Sequence, residues 1–253
     1  MRFFCLVFLF FVTIIYGQST IPYKLQGIGV EEQLGKVISA NYQFIDPSTG
    51  NKVEFKEFFK YGKPVLLSFV YYSCPMLCHF ITGGVVDTLN QLSQANLDDF
   101  VMVSISMNPN DTVEQALAFQ DRYFSQLKNR VPNWTFLLDY NNNVKQLADD
   151  VGFQFRLTDS GEYSHSAMLL FLSSSNKISR YLYGIDYSPL DFKLAVIDAK
   201  AHQQVSTVER LLLFCYNYDP QSRKYSVYAF RLLQFGGLLT VIILVLMIWR
   251  FRK

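Results

Sequence analysis

Residues 64–78 read Pro-Val-Leu-Leu-Ser-Phe-Val-Tyr-Tyr-Ser-Cys-Pro-Met-Leu-Cys. The first eight form a nearly continuous apolar run of strand length, which favours a strand in the middle of a sheet that is buried on both faces. Two cysteines follow directly, and the loops beyond the carboxyl ends of sheet strands hold the functional sites of open α/β folds. The sequence therefore predicts a functional site at Cys74 and Cys78.

Strand-like and helix-like segments alternate on both sides of this stretch. The predicted strands cover residues 37–44, 52–55, 64–71, 100–106, 134–138, 153–157, 167–172 and 178–183, and the predicted helices cover 78–95, 112–127, 142–151 and 188–201. This order predicts an α/β domain that resembles a thioredoxin fold with an N-terminal β-hairpin and insertions.

Composition limits the class of protein. The chain has 253 residues, of which 50% are hydrophobic and 17% charged, and this excludes a disordered chain. A net charge of +2 without a long basic run gives no reason to expect a nucleic-acid partner.

The two ends of the chain are strongly apolar. Residues 3–15 form an apolar run behind Arg2, which predicts a secretory signal peptide over 1–17, with an uncleaved anchor as the alternative. Residues 232–249 carry no charge and have the length of a transmembrane helix. The basic tail predicts a cytoplasmic C-terminus.

These boundaries predict a single-pass protein of the cytoplasmic (inner) membrane whose soluble domain lies on the exported, periplasmic side. The predicted parts are a signal peptide (1–17), an N-terminal segment (18–34), the thioredoxin-like domain (35–201), a juxtamembrane connector with a short hairpin (202–231), the transmembrane helix (232–249) and a cytoplasmic tail (250–253).

The spacing of the two cysteines brings their sulfurs together. Pro75 can begin a helix, which would place Cys74 at the helix N-terminus and Cys78 one turn later on the same face. A helix N-terminus lowers the pKa of a thiol. Two nearby thiols on an exported protein fit disulfide exchange or the binding of a soft metal, with a purely structural disulfide as the third reading.

His165 is the candidate third participant. It lies just before the predicted strand at 167–172, and it can reach the cysteine loop if that strand lies beside the central one. Two thiolates and one imidazole suit Cu(I), and they can hold Cu(II) when a fourth ligand joins.

Other candidates carry weaker signals. His79 is disfavoured as a ligand because adjacent helical residues point about 100° apart. Met76 is expected to act as an apolar lid, with a thioether ligand as the alternative, and Tyr71 and Tyr72 are expected to wall the site. Cys215 is expected to be a small buried hydrophobe.

Four segments carry a family resemblance. Residues 65–78, 104–112, 163–166 and 180–184 together resemble the SCO/SenC family, over about residues 35 to 200. The resemblance implies a thioredoxin-like fold and a copper site at Cys74, Cys78 and His165. It also implies copper delivery, or thiol reduction, at the binuclear CuA centre of cytochrome c oxidase.

The chain departs from the family pattern in two places. The family's Ser-x-Asp-Pro element reads Ser106-Met107-Asn108-Pro109, so a neutral amide replaces a carboxylate. Many members have an N-terminal membrane helix, whereas here the C-terminal segment is the predicted anchor.

The leading hypothesis is a membrane-tethered copper chaperone. Its expected partner is the CuA-bearing subunit of cytochrome c oxidase or another exported copper or thiol protein. The alternative is a thiol–disulfide oxidoreductase, in which Cys74 attacks and Cys78 resolves the mixed disulfide. A redox-inert receptor domain with structural cysteines is the third reading.

Overall fold

The computed structural model describes residues 28–128, 133–200, 216–219, 224–227 and 229–251. The predicted signal peptide, with Cys5, lies outside the described residues, as do His202 and Cys215.

Twelve strands are present in the described part of the chain. In chain order they are β1 (Gly29–Val30), β2 (Gln43–Ile45), β3 (Lys52–Glu54), β4 (Val65–Val70), β5 (Val101–Ser106), β6 (Trp134–Asp139), β7 (Phe153–Leu157), β8 (Tyr163–His165), β9 (Met168–Leu172), β10 (Ile178–Tyr183), β11 (Tyr216–Asp219) and β12 (Lys224–Val227). The helices are α1 (Leu77–Leu89), α2 (Gln94–Leu97), α3 (Val113–Phe124), α4 (Asn143–Asp150), α5 (Pro189–Lys200) and α6 (Ala229–Phe251), with a 3-10 helix at Phe55–Phe59.

Seven strands form the central sheet, in the order β10-β9-β4-β5-β6-β2-β3. Strands β4, β5 and β6 are parallel, while β9 runs antiparallel to β4, with Leu67 opposite Leu170. Every residue of β4, β5 and β9 is buried, which confirms the prediction of a central strand covered on both faces. Because β9 is antiparallel to β4, its first residue lies near the carboxyl end of β4. The strand that follows His165 thus lies beside the central strand, which is the arrangement that the prediction for His165 required.

A second, three-stranded sheet has the order β1-β7-β8. It packs on the central sheet through aromatic rings, since Phe153 of β7 stacks on Phe69 of β4 with 4.7 Å between ring centroids. Sequence reasoning missed β8 and treated its residues as a loop.

Helix α1 follows the cysteine loop and packs between α3 and α5. A Cβ atom at Gly84 would lie 1.9 Å from the carbonyl oxygen of Ile185, so glycine allows the chain that leads into α5 to touch α1. The helix predicted over 78–95 is shorter in the structure. It ends at Leu89, and a separate turn, α2, follows at Gln94–Leu97.

The first predicted strand, 37–44, is wrong for most of its length. Only β2 at its end joins the central sheet, where it pairs with β3 and β6. The residues before it pair with the turn between β9 and β10: the Ile38 N–H donates to the carbonyl of Asn176, and Val37 forms an isolated bridge with Lys177.

The C-terminal region begins with the antiparallel hairpin of β11 and β12, which confirms the short hairpin predicted there. Helix α6 covers the segment predicted to cross the membrane, residues 232–249. Among the residues that the structure describes, however, no helix is long and apolar enough to span a membrane.

Candidate thiol and metal site

Cys74 lies in the loop between β4 and α1, and Cys78 lies in the first turn of α1. Cys74 is 5% exposed and Cys78 is fully buried, and both are free thiols. The expectation that Pro75 begins the helix is wrong, because α1 begins at Leu77 and Met76 is its N-cap with non-helical backbone angles. The sulfurs therefore approach through the loop: the Cys78 N–H, in the first turn of α1, donates to Cys74 Sγ at 3.4 Å.

Cys78 Sγ has two further neighbours. The N–H of Tyr71 donates to it at 3.3 Å, and Nε2 of His165 lies 3.5 Å from it. The structure thus brings the predicted histidine to one of the two predicted thiols.

His165 is the last residue of β8, and its side chain is held in one tautomer. Nδ1 lies 3.0 Å from the carbonyl oxygen of Ser166, and because a carbonyl can only accept, Nδ1 carries the proton. Nε2 therefore directs a lone pair at Cys78 Sγ. Burial lowers the pKa of His165, so the ring is neutral at pH 7, which is the form that binds metals.

The two thiols differ in acidity. The hydrogen bond from the Cys78 side chain, helped by backbone N–H groups, outweighs burial and lowers the pKa of Cys74 to about 5. Burial and the neighbouring Cys74 sulfur raise the pKa of Cys78 well above its usual value. At neutral pH the pair is a Cys74 thiolate and a Cys78 thiol, whose single proton has two acceptors in reach, the Cys74 sulfur and Nε2 of His165.

The two tyrosines after β4 have different positions. Tyr71 walls the site as expected: its ring packs against Tyr163, with centroids 5.6 Å apart, and against His165, and its hydroxyl helps to lower the pKa of Cys74. Tyr72 instead points into the core, where its hydroxyl donates to the carbonyl of Leu137 at 2.8 Å.

A family model described as SCO1/SenC matches residues 30–189. The chain belongs to the SCO1/SenC family. No curated protein sequence matches the chain.

Solved structures support the fold of this SCO1/SenC domain. A candidate electron transfer protein from Aquifex aeolicus VF5 is 25% identical, with a TM-score of 0.58 over 68% of this chain and 99% of its own. BsSco, a member of the Sco family of cytochrome c oxidase assembly proteins with a disulfide switch, is 19% identical, with a TM-score of 0.54 over 69% of this chain and 99% of its own. Copper-bound ScoI from Arabidopsis thaliana is 21% identical, with a TM-score of 0.50 over 67% of this chain and 99% of its own. The match confirms the expected thioredoxin-like fold.

Two of the weaker candidates have partners of their own or are exposed to solvent. Nδ1 of His79 lies 2.6 Å from the hydroxyl of Tyr123, and the ring stacks on Phe119. The expectation that His79 is not a ligand stays a prediction. Met76, the expected lid, is 62% exposed.

Sequence reasoning missed a carboxylate beneath the cysteine loop. Asp111 directly precedes Thr112, which caps α3 in a capping box with Gln115. Asp111 is buried at 8% exposure. The signal was present in the sequence, since Thr112 is a sufficient cap and leaves Asp111 without that task.

The donor set suits copper in chemistry. Two sulfurs and a neutral imidazole nitrogen are soft ligands of the kind that bind Cu(I). In the described part of the chain, however, no group of three or more His, Cys, Asp or Glu side chains is arranged so that it could hold a metal ion. Copper binding at these residues would therefore require side-chain movement.

Proposed function

We propose that this SCO1/SenC domain is a copper chaperone that holds its cargo on Cys74, Cys78 and His165. The observation that carries the proposal is the lone pair of His165 Nε2, which faces Cys78 Sγ at 3.5 Å in a ring whose tautomer is fixed by Ser166. The recipient that we propose is the CuA-bearing subunit of cytochrome c oxidase, or another exported copper protein. Two similar proteins support this proposal. Arabidopsis ScoI has been solved with copper bound, and BsSco is a member of the Sco family of cytochrome c oxidase assembly proteins.

The uptake of copper needs two changes in the site. Cys78 must lose its proton, which His165 cannot keep while Nε2 binds the metal, so the proton leaves to solvent. Side chains must also move to bring the three groups onto one ion, since they are not gathered into a metal site as they stand. The thiolate state of Cys74 favours this step because only one of the two thiols has to be deprotonated.

The second candidate is a thiol–disulfide oxidoreductase, and the low pKa of Cys74, about 5, favours it. The Cys74 thiolate would attack a disulfide of the partner, breaking that bond and releasing one partner thiolate. Cys78 would then lose its proton and attack the mixed disulfide, which leaves a Cys74–Cys78 disulfide and a partner reduced by two electrons.

The test is an anaerobic titration of the reduced full chain in detergent with Cu(I), against a chromophoric competitor. We expect one equivalent to bind tightly, and we expect Cys74→Ala, Cys78→Ala and His165→Ala each to weaken it. His79→Ala is the matched control, and it should bind as the wild type does. Wild-type affinity in His165→Ala would refute the ligand set.

The same variants separate the two functions. His165→Ala should keep most of its disulfide exchange with a small aromatic disulfide, because the attacking and resolving thiols remain. A chain that binds no copper above the competitor's threshold but exchanges disulfides rapidly would be an oxidoreductase.

We also propose, from the sequence, that the domain is exported and held at the membrane by its C-terminal segment. Removal of residues 232–253 should release the protein from the membrane fraction into the periplasmic fraction. A full-length chain that is washed from membranes by alkaline carbonate would contradict this anchor.

A further inference from the structure

Asp111 is a buried carboxylate surrounded by neutral donors. Its Oδ1 accepts from the Ser73 hydroxyl at 2.6 Å, the Ser73 N–H at 3.3 Å and the Asn108 amide at 3.1 Å. Its Oδ2 accepts from the Ser106 hydroxyl at 2.6 Å and from the N–H of Tyr72. In the described part of the chain, no cation pairs with it.

These bonds join three separate parts of the chain at one point. Tyr72 and Ser73 lead from β4 to the first cysteine, Ser106 ends β5, and Asp111 itself precedes the cap of α3. Desolvation of a carboxylate is costly, and a site that offsets it with five donors is built for the charged form.

Cys74 itself contacts Tyr71 and the start of α1. The N–H of Cys74 donates to the carbonyl of Tyr71 at 3.2 Å, and Cys74 Sγ accepts from the N–H of Cys78. Asp111 thus binds the backbone N–H groups of both residues immediately before Cys74, while the Tyr72 side chain is anchored separately in the core.

Asn108 completes this arrangement. Its amide donates to both Ser73 Oγ and Asp111 Oδ1, at 3.1 Å each. A second carboxylate at position 108 would place a negative charge beside Asp111, whereas the amide supplies a donor. The departure from the family pattern at Asn108 thus fits the role of Asp111 in this chain.

We infer that Asp111 is the positioning residue of the cysteine loop, and that it sets the Cu(I) affinity of the site by holding Ser73 and hence Cys74. The inference rests on the proposed copper function. Loss of a residue that orients the metal ligands without binding the metal itself lowers metal affinity by about 10- to 100-fold.

The test compares Asp111→Asn, Ser73→Ala and the double variant in the reduced full chain. We expect Asp111→Asn to weaken Cu(I) binding by about 10- to 100-fold and Ser73→Ala by about three- to tenfold. The double variant should bind no more weakly than Asp111→Asn alone, because Ser73 acts through Asp111. Asp121→Asn, an exposed carboxylate on α3, is the control and should bind as the wild type does.

A metal-free readout separates positioning from general stability. When Asp111 is replaced, alkylation of Cys74 should rise several-fold while the fully buried Cys78 stays protected. Equal alkylation of both cysteines in Asp111→Asn would indicate that this variant is globally unfolded. In that case the copper affinity of Ser73→Ala tests the inference, because this variant removes only an exposed side chain. Wild-type affinity in Ser73→Ala and in folded Asp111→Asn would overturn the inference, whereas the absence of Cu(I) binding in the wild type would overturn the proposed function instead.

Discussion

The pH dependence of Cys74 alkylation tests the electrostatics of the site most directly. An ordinary cysteine, with a pKa of about 8.5, is about 3% thiolate at pH 7. Cys74, with a pKa of about 5, is about 99% thiolate at that pH. Ionisation alone would therefore raise its reactivity by about 30-fold.

A weaker base is also a weaker nucleophile. With a Brønsted coefficient of about 0.4–0.5, a pKa lower by about 3.5 reduces the reactivity of the thiolate by about 25- to 55-fold. The two effects nearly cancel at pH 7, so the absolute rate is not diagnostic. The shape of the pH profile is diagnostic, because it depends only on the ionisation of Cys74.

We expect the alkylation rate of Cys74 to be constant from about pH 6 to 9 and to halve near pH 5, falling to about one-tenth of the plateau at pH 4. The sign follows from the lowered pKa, since acid removes the thiolate only below that value. The assay is iodoacetamide labelling of the reduced protein, followed by mass spectrometry of the peptide that carries Cys74.

The variant Cys78→Ala tests the cause. The hydrogen bond from the Cys78 side chain is the largest contribution that lowers the pKa of Cys74, so its loss should move the midpoint to higher pH. A wild-type rate that rises tenfold per pH unit between pH 6 and 8, as for an ordinary thiol, would refute the reasoning.

Three other predictions concern protons and packing. Cu(I) binding at pH 7 should release about one proton, that of Cys78. Calorimetry in buffers of different ionisation enthalpy measures this number, and the release of two protons would contradict the thiolate state of Cys74. Gly84→Ala should destabilise the domain by about 1–3 kcal/mol, because the new Cβ meets a backbone carbonyl. Gly83→Ala, which meets open space on the same helix, should stabilise it by up to about 1 kcal/mol; equal thermal shifts would disprove the contact. Ser104→Ala leaves the buried indole N–H of Trp134 without its acceptor at 2.9 Å and should cost about 1–3 kcal/mol, whereas an unchanged urea midpoint would show that another group replaces it.

Strands with a long apolar run could be predicted from the sequence almost to the residue. The limits of β4 differ from the expectation by one residue at each end, and those of β5 and β9 differ by one residue at the start. Such strands are specified by their own side chains, because burial on both faces demands apolar residues at every position.

Elements that depend on distant partners could not be predicted. Strand β8 is three residues of mixed polarity, too short for a periodic pattern, and it exists because it pairs with β7. The start of α1 was misplaced for a related reason: the Cys74 sulfur accepts the N–H of Cys78, a contact that propensities do not describe. Cys74, Cys78 and His165 were singled out from residue type and spacing, whereas Asp111 was recognised from its contacts in the folded chain, although its place beside a sufficient cap was visible in the sequence.

The small sheet supplies the imidazole, and the central sheet supplies the sulfurs. His165 ends β8, and only Ser166 and Ala167 separate it from β9. Under the proposed copper function the imidazole is a tethered ligand, whose local concentration at the sulfurs depends on how firmly Phe153 stays stacked on Phe69. Loosening that stack would dilute one ligand and leave the two thiols in place, so a substitution deep in the aromatic interface would act on cargo retention without touching the cysteines.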